Sequence, residues 1–290
     1  MSIIKSITNA IGGTLADQWK DVITAGTFDE RSVVMPGLVQ DTNKGRGVNR
    51  SGSQGVISNG SKILIPENTA AFIFSQSGIE EVISAPGEYV YQNGQASVFD
   101  GDGFSDSIFE QIGDRIGFGG KASEEKSISF VNLREIRGIR FGTRSPLMYN
   151  DLYYGVDLEL TSFGAFSLKI VDAERFVRNF VPANVRFYSF DDDRARDQVC
   201  TEFLQSFIVA INSLSQIYRI SQLPAQAGEI AKVIQNENAN AGTWSERFGF
   251  EITSIGIESI EFSAESKELV KNYSAKKMDW KAYDSVSQQS

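Results

Sequence analysis

Residues 62–91 read KILIPENTAAFIFSQSGIEEVISAPGEYVY, four short β-rich runs separated by turn residues. The runs are 62–65, 70–74, 79–83 and 88–91, and they are cut by Pro66, Gly78 and the pair Pro86-Gly87. Pro66-Glu67-Asn68 leads into the second run, Gly78-Ile79 turns it back, and Pro86-Gly87 turns the third. Punctuation this tight predicts consecutive antiparallel strands without long crossovers.

Downstream, 93–122 is glycine-rich and reads as a loop with one short helix around 107–111. Strand texture returns at 128–133, 136–141, 156–160 and 163–171. Residues 172–180 read as a helix with Phe176 and Val177 turned inward. The hydrophobic period then changes. Ser189-Phe190-Asp191-Asp192-Asp193 is a helix start, with its acids at the positive end of the dipole. Val199, Phe203, Phe207, Ile211, Leu214 and Tyr218 follow at steps of three and four. A second helix starts near Pro224 and carries Ile230, Val233, Ile234, Trp244 and Phe248, with Gly249 as its C-terminal cap. Residues 250–262, FEITSIGIESIEF, alternate with a shift of parity, which predicts a bulge or a twist. Ser263 caps a last helix, SAESKELVKNYSAKKMDWKAYD (263–284). Strands followed by helices argue for the α+β class.

Upstream, 41–61 (DTNKGRGVNRSGSQGVISNGS) reads as a linker, made locally basic by Lys44, Arg46 and Arg50. Residues 1–24 place Ile4, Ile7, Ile11, Leu15, Trp19 and Val22 at helical steps, with Lys5, Asn9, Asp17, Lys20 and Asp21 mostly on the other side. Gly12 and Gly13 each weaken that helix by about 1 kcal/mol relative to alanine, so it forms only when its apolar face is buried. The expected organisation is an amphipathic helix (1–24), a linker (25–61), a β-rich domain (62–188), paired helices with the strand that follows them (189–262), and a C-terminal helix and tail (263–290).

Composition removes several function classes. The 290 residues carry a net charge of −9, which repels phosphate backbones and argues against nucleic acid. There is no histidine, so His-dependent triads, His-ligated zinc and His general bases are excluded within this chain. The single cysteine, Cys200, forms no intrachain disulfide, as suits a reducing compartment. No apolar run approaches the roughly 20 residues that span a bilayer, and no signal-peptide pattern opens the sequence.

The order of these segments and several of their strings resemble the SPFH/band-7 (stomatin/prohibitin/flotillin) superfamily, in particular its bacterial virion-core-protein-like branch. The likeness is carried by Lys62-Ile-Leu-Ile-Pro66-Glu67-Asn68 and the strand after it, by Gly78-Ile79, and by Ala85-Pro86-Gly87-Glu88-Tyr89. It continues through Val131-Asn132 with Arg134, Phe141-Gly142-Thr143 with Pro146 and Asp151, Phe163-Gly164, and Phe248-Gly249-Phe250. The resemblance implies a small twisted antiparallel β domain flanked by helices, peripheral or anchored attachment to membrane, side-by-side self-assembly into rings or arrays, no active site and no cofactor. Many relatives end in a small module such as a zinc ribbon; the single cysteine and absent histidine supply no ligands for one here.

Ile3, Ile4, Ile7, Ile11, Leu15 and Trp19 are therefore the expected membrane-contact residues, Trp19 at the headgroup interface. The side chains of the N-terminal helix sum to zero charge, so attraction to anionic lipid falls to the free N-terminus and to Lys44, Arg46 and Arg50. In the last helix, Lys267, Lys271, Lys276 and Lys277 alternate with Glu265, Glu268 and Asp279, as in a solvated or subunit-bridging helix. Glu265, Lys267, Lys271, Tyr273 and Trp280 are the expected oligomer or partner contacts.

Other motifs have structural explanations. Phe99-Asp100-Gly101-Asp102-Gly103-Phe104 lacks the later ligands of a calcium loop and reads as an exposed acidic turn. The stretch 113–121 misses the phosphate-loop glycine at Arg115, and Ala122 follows Lys121 where Ser or Thr is required. Asp191-Asp192-Asp193 reads as a helix cap, Cys200 as a buried inert thiol. Glu80, Glu81 and Glu88 show no acid–base pairing.

The expected function is a non-enzymatic scaffold on the inner face of a bacterial cell membrane. It assembles with itself, has no small-molecule substrate, and organises membrane or stress-response proteins. A soluble self-assembling shell or interaction protein is the alternative. A carboxylate-dependent enzyme in 93–122 is a third reading, requiring two convergent acids in a deep pocket.

Overall fold

The computed structural model describes residues 4–6, 21–40, 55–91, 125–236 and 244–287, with side chains from 21 to 278. In chain order the strands up to the first helix are β1 (Ile4–Ser6), β2 (Val22–Thr24), β3 (Ser32–Pro36), β4 (Leu38–Gln40), β5 (Val56–Ile57), β6 (Lys62–Ile65), β7 (Thr69–Ser75), β8 (Gly78–Ile83), β9 (Gly87–Tyr91), β10 (Lys126–Asn132), β11 (Ile136–Gly142), β12 (Leu147–Asp151) and β13 (Val156–Ile170). Then come α1 (Ala173–Asn179), β14 (Tyr188–Ser189), α2 (Asp193–Leu214), a 3-10 helix (Ile220–Gln226), α3 (Ala227–Gln235), α4 (Trp244–Phe248), β15 (Phe250–Phe262) and α5 (Ala264–Ser287). Mixed sheets and helices make this an α+β fold.

The chain folds as two compact units, each discontinuous. The first is Met1–Arg134 with Ala173–Tyr188, the second Glu135–Asp172 with Ser189–Ser290.

In the first unit one sheet has the order β1-β9-β6-β2-β4, and another runs β14-β3-β10-β7-β8 with β5 beside β10. Strand β7 is buried along its whole length and is paired along both edges, to β10 and to β8. Ile23, Ile63, Ile65, Ile73, Ile128 and Phe130 bring the two sheets into one apolar cluster. Each such side chain contributes roughly 1.5–3 kcal/mol by leaving water.

The turn residues act as their chemistry dictates. Asn68 takes the left-handed conformation (φ 58°), and its carbonyl accepts the Leu133 N–H at 2.9 Å, fastening the start of β7 to the end of β10. Gly87 sits at φ 147°, and the Tyr89 hydroxyl donates to the Ala85 carbonyl at 2.9 Å, closing the Pro86-Gly87 turn. Asn132 donates to the Ser32 carbonyl at 3.2 Å and accepts from the Arg134 N–H at 3.0 Å, which pins β10 to β3.

Two expectations are corrected here. The amphipathic helix over 1–24 fails at both ends, where Ile4–Ser6 and Val22–Thr24 are strands. Ile, Val and Thr lose rotamer freedom in a helix and suit a pleated surface, and β9 and β6 offer them hydrogen-bonding edges. The linker over 25–61 holds β3, β4 and β5, with Val33 and Val34 fully buried and Ile57 paired against β10. Glycine and serine around these short runs conceal their packing roles.

In the second unit β11 and β12 line one side of β13, and β15 lines the other. The two expected strands 156–160 and 163–171 are one strand. Ser162 keeps the ladder intact between them: its N–H donates to Thr143 Oγ1 at 3.1 Å and its hydroxyl to the Ser259 carbonyl at 2.8 Å. The parity shift in β15 is a pair of bulges, at Thr253 and at Glu258. They keep Ile252, Ile255, Ile257, Ile260 and Phe262 on one face, opposite Leu168, Phe166, Gly164, Ser162 and Leu160.

Helix α2 lies on that face, with Phe203 stacked on Phe166 at 4.3 Å and 4.6 Å from Phe141. The single helix expected after Pro224 is three pieces, the 3-10 helix, α3 and α4; 237–243 lie outside the described residues. Pro224 sits inside the 3-10 helix, where its missing N–H costs less than in an α-helix interior. Gly249 ends α4 at φ 74°. Ser263 caps α5 through the Ser266 N–H at 3.1 Å.

Candidate functional site

The five-stranded sheet of the first unit has a row of paired residues, Lys5, Val90, Lys62, Val22 and Gln40. Beyond this row lies one rim of the sheet. Ile4 pairs with Tyr91 there, the Tyr91 N–H donates to the Ser61 carbonyl at 2.9 Å, and the Lys62 N–H donates to the Asp21 carbonyl at 2.8 Å. Four chain connections meet at this rim: residues 1–3 precede Ile4, 7–20 end at Asp21, 41–54 begin after Gln40, and 92–124 begin after Tyr91.

The rim gathers Ile4, Asp21, Gln40 and Tyr91, which are far apart in sequence. Ile3 directly precedes it and Trp19 stands two residues before Asp21. Ile4 belongs to β1, while Ile3, Ile7, Ile11, Leu15, Trp19, Lys44, Arg46 and Arg50 lie outside the described residues. β4 adds an exposed apolar edge that the linker reading concealed: Leu38 is 38% and Val39 43% exposed.

The expected partner contacts lie on α5. Glu265, Lys267 and Lys271 are exposed, and the Trp280 side chain lies outside the described residues. Tyr273 is engaged within its own unit, 5.7 Å from the Tyr153 ring and 5.1 Å from the Tyr154 ring. The Arg219 guanidinium covers Tyr153 at 4.2 Å, and Lys277 donates to the Tyr153 hydroxyl at 2.6 Å, a bond that raises the pKa of Lys277. These contacts, with the Ser266 hydroxyl accepting the Glu159 N–H at 2.7 Å, set the direction in which α5 leaves the sheet. Sequence spacing names Tyr273 but gives no sign of Tyr153 or Arg219 as its neighbours.

Of the other motifs, Asp192 is the N-cap of α2, accepting from the N–H groups of Arg194 and Ala195 at 2.9 and 3.2 Å. Cys200 is half-buried; burial pushes its thiol pKa up to about 11, and Sγ donates to the Arg140 carbonyl at 3.2 Å. The acidic turn at 99–106 and the glycine loop at 113–121 lie outside the described residues. A cleft of about 270 Å³ in the first unit is lined by Phe72, Phe74, Ile79, Val177 and Val181, with Arg178 its one ionisable group among the described residues. Among the described residues no cluster of acids and thiols is arranged to hold a metal, and no helix is long and apolar enough to cross a membrane.

A family model described as the SPFH domain-Band 7 family matches residues 51–278. The chain belongs to this family. A comparison with curated proteins returned no match. The strings that mark SPFH character here have architectural roles: Asn68 and Gly87 shape turns, Asn132 joins two strands, and Asp151 accepts from the Tyr153, Tyr154 and Ile220 N–H groups. SPFH membership brings the family's general character, that of membrane-associated scaffolds that self-assemble and are generally not enzymes.

Proposed function

We propose that this chain is a non-enzymatic SPFH scaffold that self-assembles at the cytoplasmic face of a bacterial membrane, with the rim of its five-stranded sheet turned to lipid. The observation that supports this reading is the row from Lys5 to Gln40, at whose rim Ile4, Asp21 and Gln40, the described neighbours in sequence of the expected lipid-contact segments, stand together. Apolar groups beside a cluster of cations suit an anionic lipid surface, and the exposed Leu38 and Val39 extend the apolar part. Contact by one copy is weak; many copies side by side hold by avidity. The array confines or recruits membrane and stress-response proteins, with Glu265, Lys267 and Lys271 of α5 among the exposed contacts.

Removing 1–24 would also remove β1, β2 and the buried Ile23, so substitutions give the cleaner test. Full-length protein is sedimented with phosphatidylglycerol vesicles beside Ile7→Asp/Ile11→Asp and Lys44→Glu/Arg46→Glu/Arg50→Glu variants. The parent is expected to pellet at low salt, and each variant to stay largely in the supernatant. A parent that forms a large oligomer but never pellets selects the soluble-shell alternative.

A further inference from the structure

Two cations of the second unit converge on one side chain. The Arg219 guanidinium stands 4.2 Å from the centre of the Tyr153 ring and the Lys277 ammonium 4.4 Å from it, with Lys277 also donating to the Tyr153 hydroxyl. Both cations are exposed, and among the described residues neither pairs with a carboxylate. The chain's net charge is −9, so acids are abundant, yet none is supplied here. Asp151, two residues before Tyr153, is buried and spends its oxygens on the N–H groups of Tyr153, Tyr154 and Ile220. The ring attracts cations through its quadrupole but carries no charge to neutralise them. The bond to Tyr153 raises the pKa of Lys277, against the opposing pull of the Arg219 charge.

The three most exposed large apolar side chains among the described residues flank the same three positions. Ile217 is 71%, Met278 67% and Leu152 58% exposed. Leu152 directly precedes Tyr153, Met278 directly follows Lys277, and Ile217 stands two residues before Arg219. Scattered singly, such residues would carry no meaning. Beside a tyrosine and an arginine they have the make-up of protein-interface centres, which are enriched in Tyr, Met and Arg.

We propose that Arg219, Lys277 and Tyr153 form a docking site for an acidic segment of a partner protein, one that carries a carboxylate beside a large apolar side chain. A guanidinium held at a ring keeps N–H donors for a carboxylate, and the ammonium keeps those it does not spend on the hydroxyl. The carboxylate neutralises the cation pair, and the apolar neighbour takes Leu152, Ile217 or Met278 out of water. A free phosphate would satisfy the charges and leave those three exposed. As a recruiting surface the site rests on the scaffold reading above; as a site for acidic peptide it does not need lipid.

The test is fluorescence anisotropy of the full chain with a fluorescein-labelled peptide in which glutamates alternate with leucines. The parent is expected to bind it, and Arg219→Gln/Lys277→Gln, with its circular dichroism unchanged, to bind about tenfold more weakly or worse. Lys277→Arg keeps the charge and is expected to bind like the parent. Alanine in place of the peptide's leucines is expected to weaken binding, and lysine in place of its glutamates to abolish it. Equal binding by the parent and the double variant, or equal binding of the lysine peptide, overturns the proposal. So does a parent that binds no peptide while the double variant alone fails to sediment with phosphatidylglycerol vesicles, which makes the two cations a lipid contact. A parent that assembles and sediments with vesicles yet binds no peptide overturns this site and leaves the scaffold reading intact. A parent that binds the peptide but stays monomeric and never sediments overturns the scaffold reading and leaves the site.

Discussion

Gly164 and Gly256 approach so closely across β13 and β15 that a Cβ added to Gly164 would lie 2.1 Å from the Gly256 carbonyl oxygen, with the Ile257 Cα at 3.1 Å. Backbone cannot retreat as a flexible side chain does. Gly164→Ala is therefore expected to destabilise the second unit by about 3 kcal/mol. Gly256→Ala meets nothing nearer than 3.7 Å and is expected to cost about 1 kcal/mol or less. Urea unfolding of the two variants side by side checks the contrast, and equal losses would contradict the close approach.

The acidic triplet gives a second contrast. Asp192 accepts two N–H groups at the start of α2, whereas neighbouring Asp193 is exposed and pairs with Arg196 on the surface. Asp192→Ala is expected to cost about 1 kcal/mol and Asp193→Ala at most a few tenths, measured by denaturant midpoint.

The fold was legible where local chemistry and tertiary packing agree. The runs of 62–91 carry turn residues that fix their ends, the two three-residue steps in FEITSIGIESIEF report the bulges at Thr253 and Glu258, and Ser263 marks its own cap. It was illegible where an edge decides. Ile4 and Val22 stand at helical spacing, yet the open sides of β9 and β6 turn both into strands, which no periodicity reveals. Ser162 resembles a break and is a ladder residue because Thr143 and Ser259 satisfy it. For the candidate site, sequence supplied the apolar and basic residue types. The rim that relates Ile4, Asp21 and Gln40 depends on strand order, a long-range property with no local signature.

Tyr149 supplies a pH dependence. It is fully buried, its hydroxyl donates to the Tyr218 carbonyl, and burial first, then the Asp151 charge, push its pKa up to about 12. In the unfolded chain the value is about 10. This contribution to stability is whole below pH 10 and is lost as pH rises toward 12, by at most about 1.4 kcal/mol per unit. Cys200 has the same sign and begins lower, near pH 9, since its thiol is raised to about 11. Tyr149→Phe is expected to cost about 1 kcal/mol at pH 7 and to flatten the decline between pH 10 and 12, while Cys200→Ser flattens the earlier part. Unfolding midpoints between pH 7 and 12 check both slopes; parallel curves for parent and Tyr149→Phe would contradict the assignment.

The claim that the sheet rim faces lipid is tested most directly by depth. A fluorophore is attached through Val39→Cys or through Lys271→Cys, each in a Cys200→Ser background, and the protein is bound to anionic vesicles containing lipids brominated along their acyl chains. Quenching at position 39 with none at 271 is the predicted result. Unquenched probes at both positions on sedimented protein, or quenching at 271 alone, would contradict it.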